Sequence, residues 1–471
     1  MKTSVLLRIL LATTILGLST ATARAVTAPT LLLAKADQLR VETQHSQAIQ
    51  LYEQLAELRP RLAVPHIRLG QIYLAQGRWQ EAEREFYLAI TLDTSDARAL
   101  DGLASVLNYR GMTLKAVELW KQALTLDPSD AEARYGLGQA YSGLSMQGAA
   151  EEQLQHLLLH ETDHQGAHYL LGLLQAPDDD TSAVEHLRIA CTGDDVVLSE
   201  RAHQMLDVLA DVENEQDSVH RAGRFAQTYL LVDEPNLAMP HLNRVLALQP
   251  DNHTARAYYG YALFAVGRVA LARDTLRRVT QIDPKNPLGH YFLAVLHRSD
   301  GYSPTALWEF KESLHLDPSN AAVYAEIAST YQRLGQYVAA EEWYRAAVSV
   351  APKEPGFRLL LTRFYVDLVP KPDSGLAAAR ETVALLPDDP EAQDLLGWAH
   401  YLTGNLSDAR QALERALDLD PSSARAHYHL GVVCDQLADR ATSTWAYRRA
   451  IDLDTQGTYR AKALQELGVP K

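Results

Sequence analysis

An alanine recurs every 34 residues along this chain. Ala48, Ala82, Ala116 and Ala150 form one series, Ala238, Ala272, Ala306 and Ala340 a second, and Ala409 follows at two intervals plus one residue. Four residues after each stands a large apolar side chain: Tyr52, Phe86, Trp120, Leu154, Leu242, Leu276, Phe310, Tyr344 and Leu413. That spacing puts both on one face of a helix. A chain of 471 residues written this way is an array of stacked units, whereas its length alone would suggest about three domains of ~150 residues.

Other positions keep the same register. Twelve residues before each alanine is a small residue, Ala36, Gly70, Ala104, Gly138, Ala226, Gly260, Ala294, Ala328 or Gly397, where a neighbouring helix must come close. Five before it, Gly77, Gly111, Gly267, Gly301, Gly335 and Gly404 suit the left-handed residue that ends a first helix. Twelve after it, Pro60, Pro128, Pro250, Pro284, Pro318, Pro352 and Pro421 precede a polar residue able to start the next helix. The tetrapeptide LDPS, beginning at Leu126, Leu316 and Leu419, is this punctuation. Each unit therefore reads as helix, tight turn, helix, tight turn.

These slots closely resemble the tetratricopeptide repeat. Residues 63–96, with Leu69, Gly70, Tyr73, Ala82, Phe86 and Ala89, match the family pattern throughout except that Thr94 replaces the proline. Twelve such units are read: 29–62, 63–96, 97–130, 131–164, 165–197, 219–252, 253–286, 287–320, 321–354, 355–389, 390–423 and 424–457. The resemblance implies an all-α fold, an α-solenoid winding as a right-handed superhelix of about twelve tetratricopeptide helix-turn-helix repeats. It further implies that the first helices line a concave groove. Slots of that groove hold Tyr258, Tyr261, Phe264, Tyr291, Phe292, Trp398, Tyr401 and Tyr428, with Arg298, Gln332, Arg333 and Arg363 among them. Aromatic rings on such a surface anchor extended peptides or sugar rings. Family members that clamp acidic chaperone tails use groove lysines, and these slots hold none.

Two places break the register. The unit 165–197 is a residue short, and 198–218 has room for one helix only, about Ser199 to Val212. An irregular break near 175–218 is therefore expected, with 198–218 as a single-helix junction between an N-terminal block at 26–197 and a C-terminal block at 219–457. The unit 355–389 carries VPKPDSG in place of its usual turn and gains a residue, which predicts a local bulge. Residues 458–471 read as a capping helix and tail.

The first 25 residues combine Lys2 and Arg8, an apolar run from Ile9 to Leu18, and Ala23-Arg24-Ala25, the pattern of a secretory signal peptide. The run is about half of the ~20 residues a membrane span needs, so stable membrane insertion after cleavage is not expected. An uncleaved anchor is the alternative. Periplasmic or secreted localisation is the expectation. Cleavage would leave 41 basic against 59 acidic residues, a balance that argues against nucleic acid as a partner. Cys191 and Cys434, many units apart, are expected to be free and mostly buried thiols.

One stretch matches a catalytic motif: His160-Glu161-Thr162-Asp163-His164 has the H-E-x-x-H form of zinc hydrolases. The motif needs a continuous helix, and the register puts Thr162 at an inter-unit turn. The acidic run Asp178-Asp179-Asp180 reads as a solvated loop. The chain is therefore read as a non-enzymatic protein-interaction scaffold acting outside the cytoplasm, with no cofactor and no metal. A glycan- or envelope-associated accessory role and a zinc hydrolase are the alternatives.

Overall fold

A computed structural model describes residues 29–42, 44–177, 180–212, 215–369, 371–454 and 457–468. Residues 1–25, where the sequence suggests a signal segment, and Asp178 and Asp179 lie outside the described residues. Among the described residues there are 26 helices and no strand, an all-α solenoid of paired helices.

The unit 63–96 shows how the repeated slots make the fold. Its helices are Ala63–Ala75 and Trp79–Leu92. Ala82 and Phe86 of the second helix are fully buried. Phe86 lies so close to Gly70 that a Cβ there would meet its ring at 2.8 Å. The same fit recurs between Gly138 and Leu154, Gly260 and Leu276, and Gly431 and Tyr447. A small residue on one helix thus receives the large residue on its partner, which lets two helices pack with few voids. Between them, Gly77 adopts φ +67°, while the Arg78 N–H donates to the Tyr73 carbonyl at 2.8 Å. This is the left-handed helix stop that glycine meets without a steric penalty. Three units make the same stop with Ser145, Asp233 and Ala438.

The LDPS turn has a local cause as well. The Asp317 carboxylate accepts from the Ser319 N–H at 3.1 Å and from its hydroxyl at 2.6 Å, and Asp420 does the same with Ser422. The side chain closes the turn, and in several units, though not at Asn320, the polar residue at the helix start caps the next helix. Ser423, Asn286 and Asp389 accept from the Ala426, Gly289 and Ala392 amides.

The first register break contains the 17-residue helix Val196–Val212. At the second, the extra residue is absorbed in a π-turn at Phe364–Leu368, where the Val369 N–H donates to the Phe364 carbonyl at 3.0 Å. Widening one helical turn takes up a single inserted residue without disturbing the faces on either side. The helix Thr458–Glu466 packs on the last repeat.

The chain divides into two compact bodies. One comprises residues up to Pro128 together with Leu406–Lys471, and the other Ser129–Asn405, which contains the 198–218 segment. Within the first body the two ends of the chain meet. Asp452 accepts from the Ser46 N–H at 2.9 Å and the Ser46 hydroxyl at 2.6 Å. His45 Nδ1 lies 3.1 Å from the Asp452 carbonyl, and Arg449 donates to the Glu42 carbonyl at 3.2 Å. Gln44, which precedes the helix His45–Leu58, gives it no side-chain cap. Asp452, 406 residues away in sequence, supplies that cap instead. Cys191 and Cys434 are free thiols, half-buried and buried.

Candidate functional site

Eleven of the twelve groove candidates lie in the Ser129–Asn405 body, and Tyr428 lies in the other. Five of the eleven form one aromatic ladder across the first helices His253–Ala265 and Pro287–Ser299. Tyr261 stacks on Phe292 with ring centroids 4.7 Å apart and an interplanar angle of 16°. Tyr258 approaches the same ring at 5.4 Å, Tyr291 meets it edge-on at 5.3 Å, and Phe264 lies 6.4 Å from Tyr261. Phe292 is only 7% exposed. It is the floor of the ladder, whereas Tyr258, Tyr261, Phe264 and Tyr291 stay partly exposed. Tyr291 also packs on Phe310 at 5.9 Å, so it contributes to the core of two units. Burial pushes the hydroxyl pKa values of Tyr258, Tyr261 and Tyr291 upward, so all three remain neutral donors.

Two of the polar candidates, Arg298 and Arg363, are held by partners in neighbouring first helices. Arg298 pairs with Glu326 and lies 5.6 Å from the Phe310 ring. Arg363 pairs with Glu391 in the same manner. Gln332 accepts from the Tyr344 hydroxyl at 2.8 Å, while Arg333 is exposed. Trp398 and Tyr401 stack on each other at 4.5 Å as a separate pair. Tyr428 lies between Tyr447 and Tyr459, with the Lys462 ammonium 5.6 Å from its ring.

The H-E-x-x-H pentapeptide occupies a turn. The helix Gln147–Leu158 ends before His160, and Gln165–Gln175 begins after His164. His164 Nδ1 accepts from the Ala167 N–H at 3.1 Å, a capping task, and its ring packs on Tyr135 at 4.7 Å. The one-face, one-turn spacing that a shared metal needs is absent here. Among the described residues no group of three His, Cys, Asp or Glu converges as metal ligands.

His168 belongs instead to a structural slot shared with His66, His290 and His427. His290 reaches Glu309 at 2.7 Å and the Pro284 carbonyl at 3.1 Å. His66 reaches Glu85 at 2.6 Å, and His427 the Pro421 carbonyl at 3.1 Å. His168 lies 2.8 Å from His186 and 2.9 Å from the Thr162 carbonyl. The slot ties a first helix to the turn before it at His168, His290 and His427, and to the helix after it at His66, His168 and His290.

A second first-helix cluster was missed by sequence reasoning. Tyr135 and Tyr169 stand at the fifth position of units 131–164 and 165–197, the slot that holds Tyr291 in its own unit. The slot rule applied to the N-terminal units would have found them. Beside them lie Arg201 and Glu234, which no periodicity reveals. Burial lifts the Glu234 carboxyl to about 7, with Arg201 opposing, and lifts the Tyr135 hydroxyl to about 12. Here the chain covers its own surface: the helix Pro235–Leu248 packs on Ala131–Gly143, and the Tyr229 hydroxyl donates to the Leu173 carbonyl at 2.7 Å.

Paired antiparallel helices with these small, large and glycine slots define a tetratricopeptide solenoid. Family models agree: those of the tetratricopeptide repeat match residues 42–105, 230–296 and 321–354, and one described as TPR repeat matches 104–145 and 397–436. Together they span just over half of the chain, which belongs to the tetratricopeptide repeat family. Proteins of this family in general mediate protein–protein interactions. Anaphase-promoting complex subunit 3 of Schizosaccharomyces pombe is 22% identical over 172 residues, covering 36% of this chain and 26% of that relative. The match thus spans about a quarter of that relative's length. Among solved structures, the APC/C hetero-tetramer Cut9-Hcn1 is similar at TM-score 0.45 and 14% identity, covering 94% of this chain and 97% of the other. Yeast Tom70 is similar at TM-score 0.40 and 16% identity, covering 94% and 95%.

Proposed function

We propose that this chain is an exported, non-enzymatic scaffold that holds an extended segment of a partner protein against the first helices of units 253–286 and 287–320. The observation that carries this reading is the ladder of Tyr258, Tyr261, Phe264 and Tyr291 above Phe292. Four partly exposed rings held by mutual contacts lose little side-chain freedom when a ligand arrives, so more of the contact energy appears as affinity. The tyrosine hydroxyls, which stay neutral, are donors for a peptide backbone. The Arg298–Glu326 and Arg363–Glu391 pairs lie in the same body and supply polar contacts.

The test is selection of a displayed peptide library on the full chain, followed by affinity measurements with Tyr261→Ala and Phe264→Ala. Each change is expected to weaken the selected peptide about 10-fold, with the melting temperature lowered by only a few degrees. Unchanged affinity in both variants would remove the ladder as the binding surface. Retention of the chain on polysaccharide, lost in the same variants, would turn the reading toward a glycan. Export rests on the apolar run Ile9 to Leu18 followed by Ala23-Arg24-Ala25. Mass spectrometry of the protein from its native envelope is expected to find a chain starting at Val26.

A further inference from the structure

The unit 253–286 holds six Lys and Arg against two acidic residues, and it is the only one of the twelve units with a net positive charge, in a chain of net charge −15. Arg273 and Arg277 stand one turn apart on its second helix, Val269–Ile282. Between that helix, the end of Pro287–Ser299 and the start of Ser303–Leu316 lies an open cavity of about 660 Å³. Arg273, Arg277, His297, Asp300, Tyr302 and Thr305 line it, and none of them belongs to the aromatic ladder.

Two features distinguish this cavity from a packing gap. Arg273 donates to Asp300 at 2.5 Å, which fixes one guanidinium, whereas the exposed Arg277 has no ion-pair partner among the described residues. His297 is 9% exposed, and its Nδ1 is buried without a hydrogen bond among the described residues. Buried polar atoms are nearly always paired, so an orphan beside two arginines calls for an explanation.

We propose that this cavity binds an oxyanion group, held by the Arg277 guanidinium with His297 and the hydroxyls of Tyr302 and Thr305 as further donors. A planar guanidinium matches the geometry of sulfate, phosphate and carboxylate alike. Burial holds the His297 imidazole below its ordinary pKa; Glu309 and Asp300 act against that shift, and Arg277 and Arg273 act with it. An anion beside the ring raises the imidazole pKa and so favours its protonated, double-donor form.

Sulfate is the first probe, because its charge does not change between pH 6 and 8. The full chain is titrated with sodium sulfate at constant ionic strength, followed by calorimetry and by the ring resonance of labelled His297. One saturable equivalent is expected, together with a rise in the pH at which His297 titrates. Arg277→Ala should weaken binding about 10-fold or more, while Arg278→Ala, which removes a neighbouring charge outside the cavity, should leave it within about two-fold. Equal weakening in the two variants, or no saturation, would overturn the proposal and leave only an unspecific attraction to the basic unit. Inorganic phosphate and a short glutamate peptide are then competed against sulfate. Displacement by phosphate at lower concentration assigns a free anion, displacement by the peptide assigns carboxylates of an acidic segment, and displacement by neither overturns the proposal.

Discussion

At His290 both ring nitrogens face acceptors, the Glu309 carboxylate at 2.7 Å and the Pro284 carbonyl at 3.1 Å. Only the protonated ring can donate to both. The hydrogen bond to Glu309 accordingly raises the pKa of His290, and burial acts against it. A folded-state pKa above the unfolded value means stability that is fully present below the unfolded pKa of ~6.5 and lost as pH rises through the folded value. Glu309→Gln is therefore expected to cost about 1–3 kcal/mol at pH 6 and less at pH 8, read as a difference in melting temperature from the wild type at the two pH values. An equal loss at both would show that the ring does not change its charge between the two pH values. The same slot behaves in the opposite sense at His427, whose Nδ1 has no hydrogen bond among the described residues. Burial lowers its pKa, as it does for His45 and His186. Those three rings withdraw stability as pH falls below ~6.5. The slot itself was legible from the sequence, because its histidines keep the repeat register. Its charge state was not, because that depends on whether the second helix offers Glu309, His186 or Ala446 opposite the ring.

At the scale of the helix pair, glycine has two opposite meanings. A Cβ on Gly260 would lie 2.7 Å from Leu276, and Gly260→Ala is expected to destabilise by about 1–3 kcal/mol through overpacking. A Cβ on Gly223, inside the helix Ser218–Leu231, would meet nothing within 4 Å. Gly223→Ala is expected to stabilise by about 0.5–1 kcal/mol, because alanine loses less backbone freedom on folding. Thermal denaturation of the two variants against the wild type checks the pair, and a shared sign would refute it. The π-turn at Phe364–Leu368 belongs to this scale too. The extra residue in VPKPDSG announced a bulge, and the structure puts the accommodation inside the preceding helix, ahead of the loop where the sequence changes.

Across the whole chain, the first and last repeats are joined within one body by Asp452, 5% exposed, which caps the helix His45–Leu58. Asp452→Ala removes the partner of the Ser46 N–H and is expected to cost about 1–2 kcal/mol, seen first as faster amide hydrogen exchange at residues 45–48. Unaltered exchange there would show that the junction contributes nothing to holding the first repeat. Acid should act in the same direction, since the lowered pKa of the half-buried His45 makes its protonation below ~6.5 favour opening.

The sequence by itself determined what is local and repeated: helix pairs of 34 residues, their glycine stops, their Asp-Pro-Ser turns, the small-against-large contact, and the turn that denies His160 and His164 a common helix face. Each follows from φ preference, side-chain size or a hydrogen bond within a few residues, and repetition lets many units report the same rule. Only the tertiary structure decided which slots remain exposed. It buried Phe292 beneath Tyr261, laid the helix Pro235–Leu248 over the first-helix face at Ala131–Gly143, brought Asp452 to Ser46, and left His297 unpaired beside Arg277. Those arrangements join residues from different repeats, some of them far apart in the chain. Periodicity says which face a residue occupies, and the stacking of units says what comes to lie against it.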